Sequence, residues 1–325
     1  MRVSLGSSVM THVYLIADIG ATNARFCLVK DRKNNSELLV LNSIEFKSAS
    51  ELVSSALQRF NVKQLGGAML AVAGPLDDFK KNAVITNTGH EFSVQILEKE
   101  LGCPVWLEND FVALAYGLAH CWDFVQIGGL ENSIGVKGVL GAGSGLGMAT
   151  IIDEGGVRRV FSSEGGHSNF APGSHLESEI WAIIASELGY VSWESVLSGP
   201  GLVRLYRAMC GVWGTKPLEY ASEDITRLGE NLEEPVCHQT LETFFSLLGT
   251  AAGDFALTIG AKGGVYLSGG IVPALSDFAL TSPLRRRFEE KGILSDYLKS
   301  IPLLIVKDDN PGLAGARDRL EIHVG

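Results

Sequence analysis

The chain has 325 residues, 46% hydrophobic and 20% charged, with a formal net charge of −10. That is the composition of a globular protein, long enough for two domains, and its acidic balance argues against a general nucleic-acid or anionic-membrane binder. Cys27, Cys103, Cys121, Cys210 and Cys237 are scattered and form no C-x-x-C pair, so reduced thiols in a cytoplasmic setting are expected, not a disulfide frame or a zinc site.

Residues before about Met10 are small and polar and read as a disordered leader. Asp18 interrupts the apolar run that a signal peptide would need. Residues 13–17 read as a buried strand and 26–29 as its hairpin partner. The turn between them, Gly20-Ala21-Thr22, can expose consecutive backbone N–H groups as an anion cradle. Asp18 at its lip can hold Mg²⁺, which takes a few carboxylates with phosphate oxygens. A plain hairpin with a capping acid fits the same stretch.

A third strand is expected over 38–46 and a helix over 50–60, capped by Ser48 or Ser50. Strands at 67–73 and 104–107, a helix at 93–101 and a helix at 111–119 follow. This order suits an α/β layer with a mixed sheet. After a connector at 123–136, strands at 138–140, 148–152 and 157–161 flank the Gly-rich loop 141–147. The sequence of strand, Gly-rich loop and strand thus occurs twice, as a repeat of architecture. Helices are expected at 174–188, 193–197, 202–209, 222–228 and 236–259. In the last, Gly249 and Gly253 share one face, where another backbone can approach closely. A strand at 265–267, a helix at 284–290, a strand at 303–306 and a helix at 312–320 complete the chain. Arg285-Arg286-Arg287 reads as a solvated helix face.

Several stretches carry chemistry. Loop 141–147 has four glycines but fails the G-x-G-x-x-G pattern, because Leu146 takes the third glycine's place and a strand follows. A phosphate cradle and a flexible turn fit it equally. Asn109-Asp110 stands where a strand passes into a helix, a place for reactive side chains and equally for an N-cap. Glu164-Gly165-Gly166-His167 offers hydrogen-bond partners for a polyol, with no further metal ligand at a suitable spacing. Glu194 passes for a surface residue, and Ser268-Gly269-Gly270-Ile271 suits either a flat ligand or a tight turn.

Taken in order, these stretches resemble one family. They are Asp18-Ile19-Gly20-Ala21-Thr22-Asn23-Ala24-Arg25, Glu108-Asn109-Asp110-Phe111, the 141–147 loop, Glu164-Gly165-Gly166-His167, Leu197-Ser198-Gly199-Pro200-Gly201-Leu202, Gly263-Gly264-Val265, Ser268-Gly269-Gly270-Ile271-Val272-Pro273 and Asp309-Asn310-Pro311-Gly312-Leu313. The chain is similar to bacterial-type glucokinases of the hexokinase and actin-like ATPase superfamily. The resemblance implies a two-domain actin-like ATPase fold of ribonuclease H-like α/β domains, with a cleft between them that closes on substrate. The small domain would hold residues 11–120 and 308–325, the large one 121–307. It implies D-glucose as the small-molecule substrate, ATP with Mg²⁺ as donor, and a cytoplasmic homodimer. Asp110 would be the general base, and Asn109, Asp110, Glu164, His167 and Glu194 would bind the sugar. Ala17, Asp18, Ile19, Gly20, Ala21, Thr22 and Asn23 would face the nucleotide, with Gly141, Gly143, Ser144, Gly145, Gly269 and Gly270. Asp18 would hold Mg²⁺, directly or through water. Three positions depart from the family pattern: Ala21 where a second Gly is common, Ser144 where Thr is usual, and His90 where Trp is usual. The zinc-motif branch of sugar kinases is excluded by the cysteine pattern. A non-catalytic sugar or nucleotide sensor on the same scaffold is the alternative, and an actin- or chaperone-type ATPase a more distant one.

Overall fold

The computed structural model describes residues 13–30, 34–85 and 89–324. The expected leader and residues 86–88 lie outside them. The chain divides into two compact units, Met1–His120 with Asn310–Gly325, and Cys121–Asp309.

The first unit contains β1 (Val13–Ile19), β2 (Asn23–Lys30), β3 (Asn34–Asn35), β4 (Leu39–Asn42), α1 (Ala49–Phe60), β5 (Gly67–Val72), β6 (Asn82–Val84), β7 (Glu91–Ser93), α2 (Val94–Leu101), β8 (Val105–Asn109), α3 (Asp110–Gly117) and the C-terminal helix (Pro311–Val324). The main sheet runs β3-β2-β1-β5-β8, with β4 also on β2, while β6 pairs with β7 alone. β1, β5 and β8 are parallel. Their side chains alternate between two cores. Leu15, Ala17, Ile19, Ala68, Leu70 and Val72 pack with α1 and α2. Ile16, Met69 and Ala71 pack with Ala113 of α3 and with Leu313, Ala316 and Leu320 of the C-terminal helix. That helix lies backbone to backbone on α3, because a Cβ at Gly117 would strike the Pro311 carbonyl and one at Gly315 the Ala113 carbonyl.

The second unit contains β9 (Phe124–Gln126), β10 (Lys137–Ala142), β11 (Leu146–Glu154), β12 (Val157–Ser163), α4 (His175–Leu188), α5 (Gly199–Trp213), α6 (Ser222–Glu230), α7 (Pro235–Ile259), β13 (Val265–Ser268), α8 (Ser276–Thr281), α9 (Leu284–Glu289), α10 (Ser295–Lys299) and β14 (Leu303–Val306). Its sheet runs β12-β11-β10-β13-β14-β9. Again a hairpin opens the sheet, and parallel strands follow it. The architectural repeat read from the sequence is therefore present. The core centres on α7, whose Phe244, Phe245, Leu247 and Leu248 are fully buried. Gly249 of that helix admits the Leu284 carbonyl and Gly253 that of Phe288, the close approach their spacing predicts.

Three expectations need correction. The helix expected at 193–197 is a set of turns. Ser195 turns its hydroxyl back onto the Ser192 N–H (3.1 Å), and Ser198 then caps α5 through the Gly201 N–H (3.0 Å), so side-chain hydroxyls compete with helical pairing there. The strand expected over 38–46 stops at Asn42 and passes into a 3₁₀ turn, Ser43–Glu45. The arginine run is not a uniform solvated face. Arg286 is exposed, but Arg285 bonds Glu289 (2.6 Å) and the Ile301 carbonyl (2.8 Å), and Arg287 pairs with buried Glu177 (3.0 Å). The five cysteines are all buried, and none is in a disulfide. Among the described residues, no helix is long and apolar enough to cross a membrane.

Candidate active site

In the first unit the parallel register sets Ile19, Val72 and Asn109 at one level. The expected site residues thus gather at the carboxyl ends of parallel strands, where α/β sheets bind ligands. The β1–β2 turn is tightly defined. The Gly20 N–H donates to the Asn23 carbonyl (2.9 Å), and fully buried Ser43 donates its N–H to the Thr22 carbonyl and its hydroxyl to the Gly20 carbonyl, each at 2.8 Å. Both carbonyls are thus bound to Ser43. Ala21 keeps a negative φ, so its methyl replaces glycine without backbone strain. Ala17 and Ile19 are fully buried in the core, so only their backbone can serve a ligand.

Asp18 is half-buried beside the first turn of the C-terminal helix. A Cβ on Gly312 would stand 2.6 Å from its Oδ2. Among the described residues no hydrogen bond or ion pair holds the carboxylate, and burial raises its pKa against the opposing pull of Arg25 on β2. An under-solvated acid beside an amide cradle is a donor set that suits Mg²⁺ carried on phosphate oxygens.

Asn109 is the N-cap of α3. Its Oδ1 accepts from the N–H groups of Phe111 (3.0 Å) and Val112 (3.1 Å), and its Nδ2 donates to the Gly74 carbonyl (3.2 Å). Both readings of this position meet there, since the cap fixes the residue that follows. Asp110 begins α3, half-buried, with Oδ1 accepting the Phe111 N–H (2.9 Å). Glu108, 2% exposed, anchors the strand end by accepting from Lys80 (2.6 Å) and from Arg319 of the C-terminal helix (2.9 Å). His90, where the family usually has Trp, is buried and donates from Nε2 to the Phe46 carbonyl (2.8 Å).

In the second unit the loop joining β10 to β11 is closed by the Gly143 N–H on the Gly145 carbonyl (2.9 Å), and the Gly199 N–H at the start of α5 holds the Gly143 carbonyl (2.8 Å). Gly141 is buried in β10 opposite Gly147, while Ser144 is exposed at the tip. Gly269, at φ +92°, presses on the Ala142 carbonyl, and Gly270 beyond it has open space where a side chain would be. Glu164, His167 and Glu194 converge. His167 Nε2 lies 4.0 Å from Glu164 Oε2 and 3.9 Å from Glu194 Oε1, and the three side chains are 55%, 68% and 29% exposed for His167, Glu164 and Glu194. These gaps are too long for direct hydrogen bonds. They leave room for a hydroxyl that donates to one carboxylate and accepts from the imidazole. Glu194 Oε2 accepts the Leu146 N–H at 2.8 Å, so this residue is not a surface residue of a helical turn.

Sequence reasoning missed the contributions of Ser43, Gly312 and the Leu146 amide. Each depends on a partner distant in the chain, and no local pattern marks it.

The glucokinase family model matches residues 15–322. The chain belongs to the glucokinase family. It is 38% identical over 311 residues to a glucokinase of Saccharophagus degradans, covering 93% of this chain and 96% of that one. Among solved structures, a glucokinase from an Antarctic psychrotroph is 34% identical, with TM-score 0.76 over 96% of this chain and 99% of its own. A glucokinase from Balamuthia mandrillaris, solved with glucose, is 23% identical with TM-score 0.82 over 98% of this chain and 96% of its own, a likeness of fold.

Proposed function

We propose that this glucokinase-family chain transfers the γ-phosphoryl group of ATP to the 6-hydroxyl of D-glucose, giving glucose 6-phosphate and ADP. Family membership over residues 15–322 is the observation that carries this reading. The placement of Asp110 supports its part in the chemistry. The attacking oxygen must lose its proton as its bond to phosphorus forms and the bond from phosphorus to the ADP oxygen breaks. Asp110 is the proton acceptor, set on a rigid strand-to-helix junction by the Asn109 cap. Glu164, His167 and Glu194 hold sugar hydroxyls and fix the acceptor's orientation. The amides of the two loops, at 21–22 and 144–145, bind phosphate oxygens, with Gly269 and Gly270 toward the nucleoside. Asp18 holds Mg²⁺, which neutralises phosphate charge when bound. The reading extends to a cytoplasmic homodimer, and the five buried thiols suit a reducing compartment.

Asp110→Asn tests the assignment, because the carboxamide keeps an acceptor for the Phe111 N–H and loses the base. Coupled measurement of glucose 6-phosphate should show kcat reduced at least about 10²-fold, with an unchanged melting profile. Turnover near that of the natural chain would reject Asp110 as the base.

A further inference from the structure

Glu194 does more than face a sugar. Its two carboxylate oxygens face two different segments of the second unit. Oε1 stands 3.9 Å from His167 Nε2, within the group formed with Glu164. Oε2 accepts the Leu146 N–H at 2.8 Å, and Gly145 passes so close that a Cβ there would lie 2.6 Å from the same oxygen. The backbone of Glu194 is fixed as well. Its N–H donates to the Gly166 carbonyl (2.8 Å), and its own carbonyl accepts the Ser198 hydroxyl (2.9 Å) where α5 begins. The side chain is therefore a short bridge, held at its base, between the His167 cluster and the loop 143–145.

We propose that Glu194 is a positioning residue that couples sugar binding to nucleotide binding. This rests on the sugar and phosphate roles proposed above. A hydroxyl that donates to Oε1 pins the carboxylate's rotation. The other oxygen then holds the Leu146 amide, and with it the loop, in one conformation. Ordering the loop before nucleotide arrives lowers the entropic cost of binding phosphate. The same coupling must act in reverse, because it is one free energy shared by two ligands.

Calorimetric binding of MgADP to the full chain, with and without saturating D-glucose, measures the coupling. Glucose should tighten MgADP binding at least about fivefold. In Glu194→Gln the side chain keeps its length, but with its one oxygen on the Leu146 N–H it turns an NH2 donor toward the His167 cluster, so a sugar hydroxyl that donates its proton to Oε1 loses its acceptor. The ratio should fall to within about twofold of unity. Glu164→Gln, which lacks a loop contact, should weaken glucose yet keep the ratio once glucose saturates. Hydrogen exchange on the natural chain gives a readout independent of any variant: glucose alone should slow exchange at the Leu146 amide. The proposal is overturned if Glu194→Gln keeps the full ratio, if Glu164→Gln abolishes it, if the natural chain binds both ligands with a ratio of one, or if glucose leaves the Leu146 amide unchanged. A natural chain that binds no glucose would instead overturn the proposed function, and this inference with it.

Discussion

The two hairpin turns, one in each unit, occupy equivalent places in their sheets yet are held in different ways. The β1–β2 turn is held by its carbonyls, both bound to Ser43. The loop after β10 is held by an amide, the Leu146 N–H on Glu194, and by a carbonyl, that of Gly143 on the Gly199 N–H. The first turn has a carboxylate of its own, Asp18, with no hydrogen-bond partner among the described residues. The second borrows a carboxylate from a distant segment. The common architecture thus supplies two main-chain turns, each with a carboxylate beside it. The chemistry of each depends on where its acid comes from: built into the strand in one case, lent by a neighbouring segment in the other.

The sharpest break in this comparison is Asp18→Asn. If Asp18 is the acid of the first cradle, turnover should fall at least about 10²-fold, as for loss of a direct transition-state contact. Stability should move the other way. Burial raises the folded pKa of Asp18 above its ordinary 3.8, so the native state holds this proton more tightly than the unfolded chain. Stability from this group is then complete below pH 3.8 and declines as pH rises through the folded value. The asparagine variant escapes that decline. Its melting temperature should exceed that of the natural chain at pH 7, with the difference closing below pH 3.8. A lower melting temperature at pH 7, or unchanged turnover, would show that Asp18 is an ordinary structural acid.

Gly312→Ala probes the same turn from outside. Its methyl would meet the Asp18 carboxylate at 2.6 Å. The helix or the acid must shift, at a cost of about 1–3 kcal/mol, measurable by urea unfolding. If Asp18 serves the nucleotide as proposed, the KM for ATP should rise while that for glucose changes little. Ser43→Ala should do less. It removes one of the two bonds that Ser43 makes to the turn and leaves the Gly20 carbonyl short of a partner, about 1–2 kcal/mol. No change in stability would show that water replaces the hydroxyl, and that the turn does not depend on its carbonyls being held.

These effects also mark what could be read without coordinates. The hairpins, the parallel strands and the Asn109-Asp110 junction follow from local alternation, breakers and capping chemistry, which the sequence carries within a few residues. β14 lies where the apolar run at 303–306 places it, at Leu303–Val306. The β6–β7 hairpin and β9 were not legible, because strands of three residues have too little pattern to stand out. Ser43 and Gly312 reach their partners across 23 and 294 positions of the sequence, and Leu146 meets Glu194 across 48. Arg285 and Arg287 look like their exposed neighbour Arg286 until Glu177, Glu289 and the 298–301 carbonyls surround them. Periodicity reveals which face of an element is apolar. It does not reveal which distant group completes a polar contact.

The smallest effect lies at the far end of the second hairpin. Asp153 of β11 accepts from Arg158 Nε on β12 (2.8 Å) and from Lys137 Nζ on β10 (3.0 Å), so one carboxylate staples three strands. Arg158 first, then Lys137, pull its pKa down to about 2 against the opposing effect of burial. The folded value lies below the unfolded one, so the contribution is complete above the ordinary 3.8 and is lost as pH falls toward 2. At 38% side-chain exposure solvent screens much of it, and Asp153→Asn should cost less than about 1 kcal/mol at pH 7. The deficit should vanish near pH 2, which urea unfolding across that range would follow. Turnover and both KM values should stay as they are, because Glu194 and Gly199 hold the loop at the other end. A shifted KM for ATP in Asp153→Asn would mean that strain passes along the β-ladder into the loop, and the second cradle would then depend on its hairpin rather than on its borrowed acid.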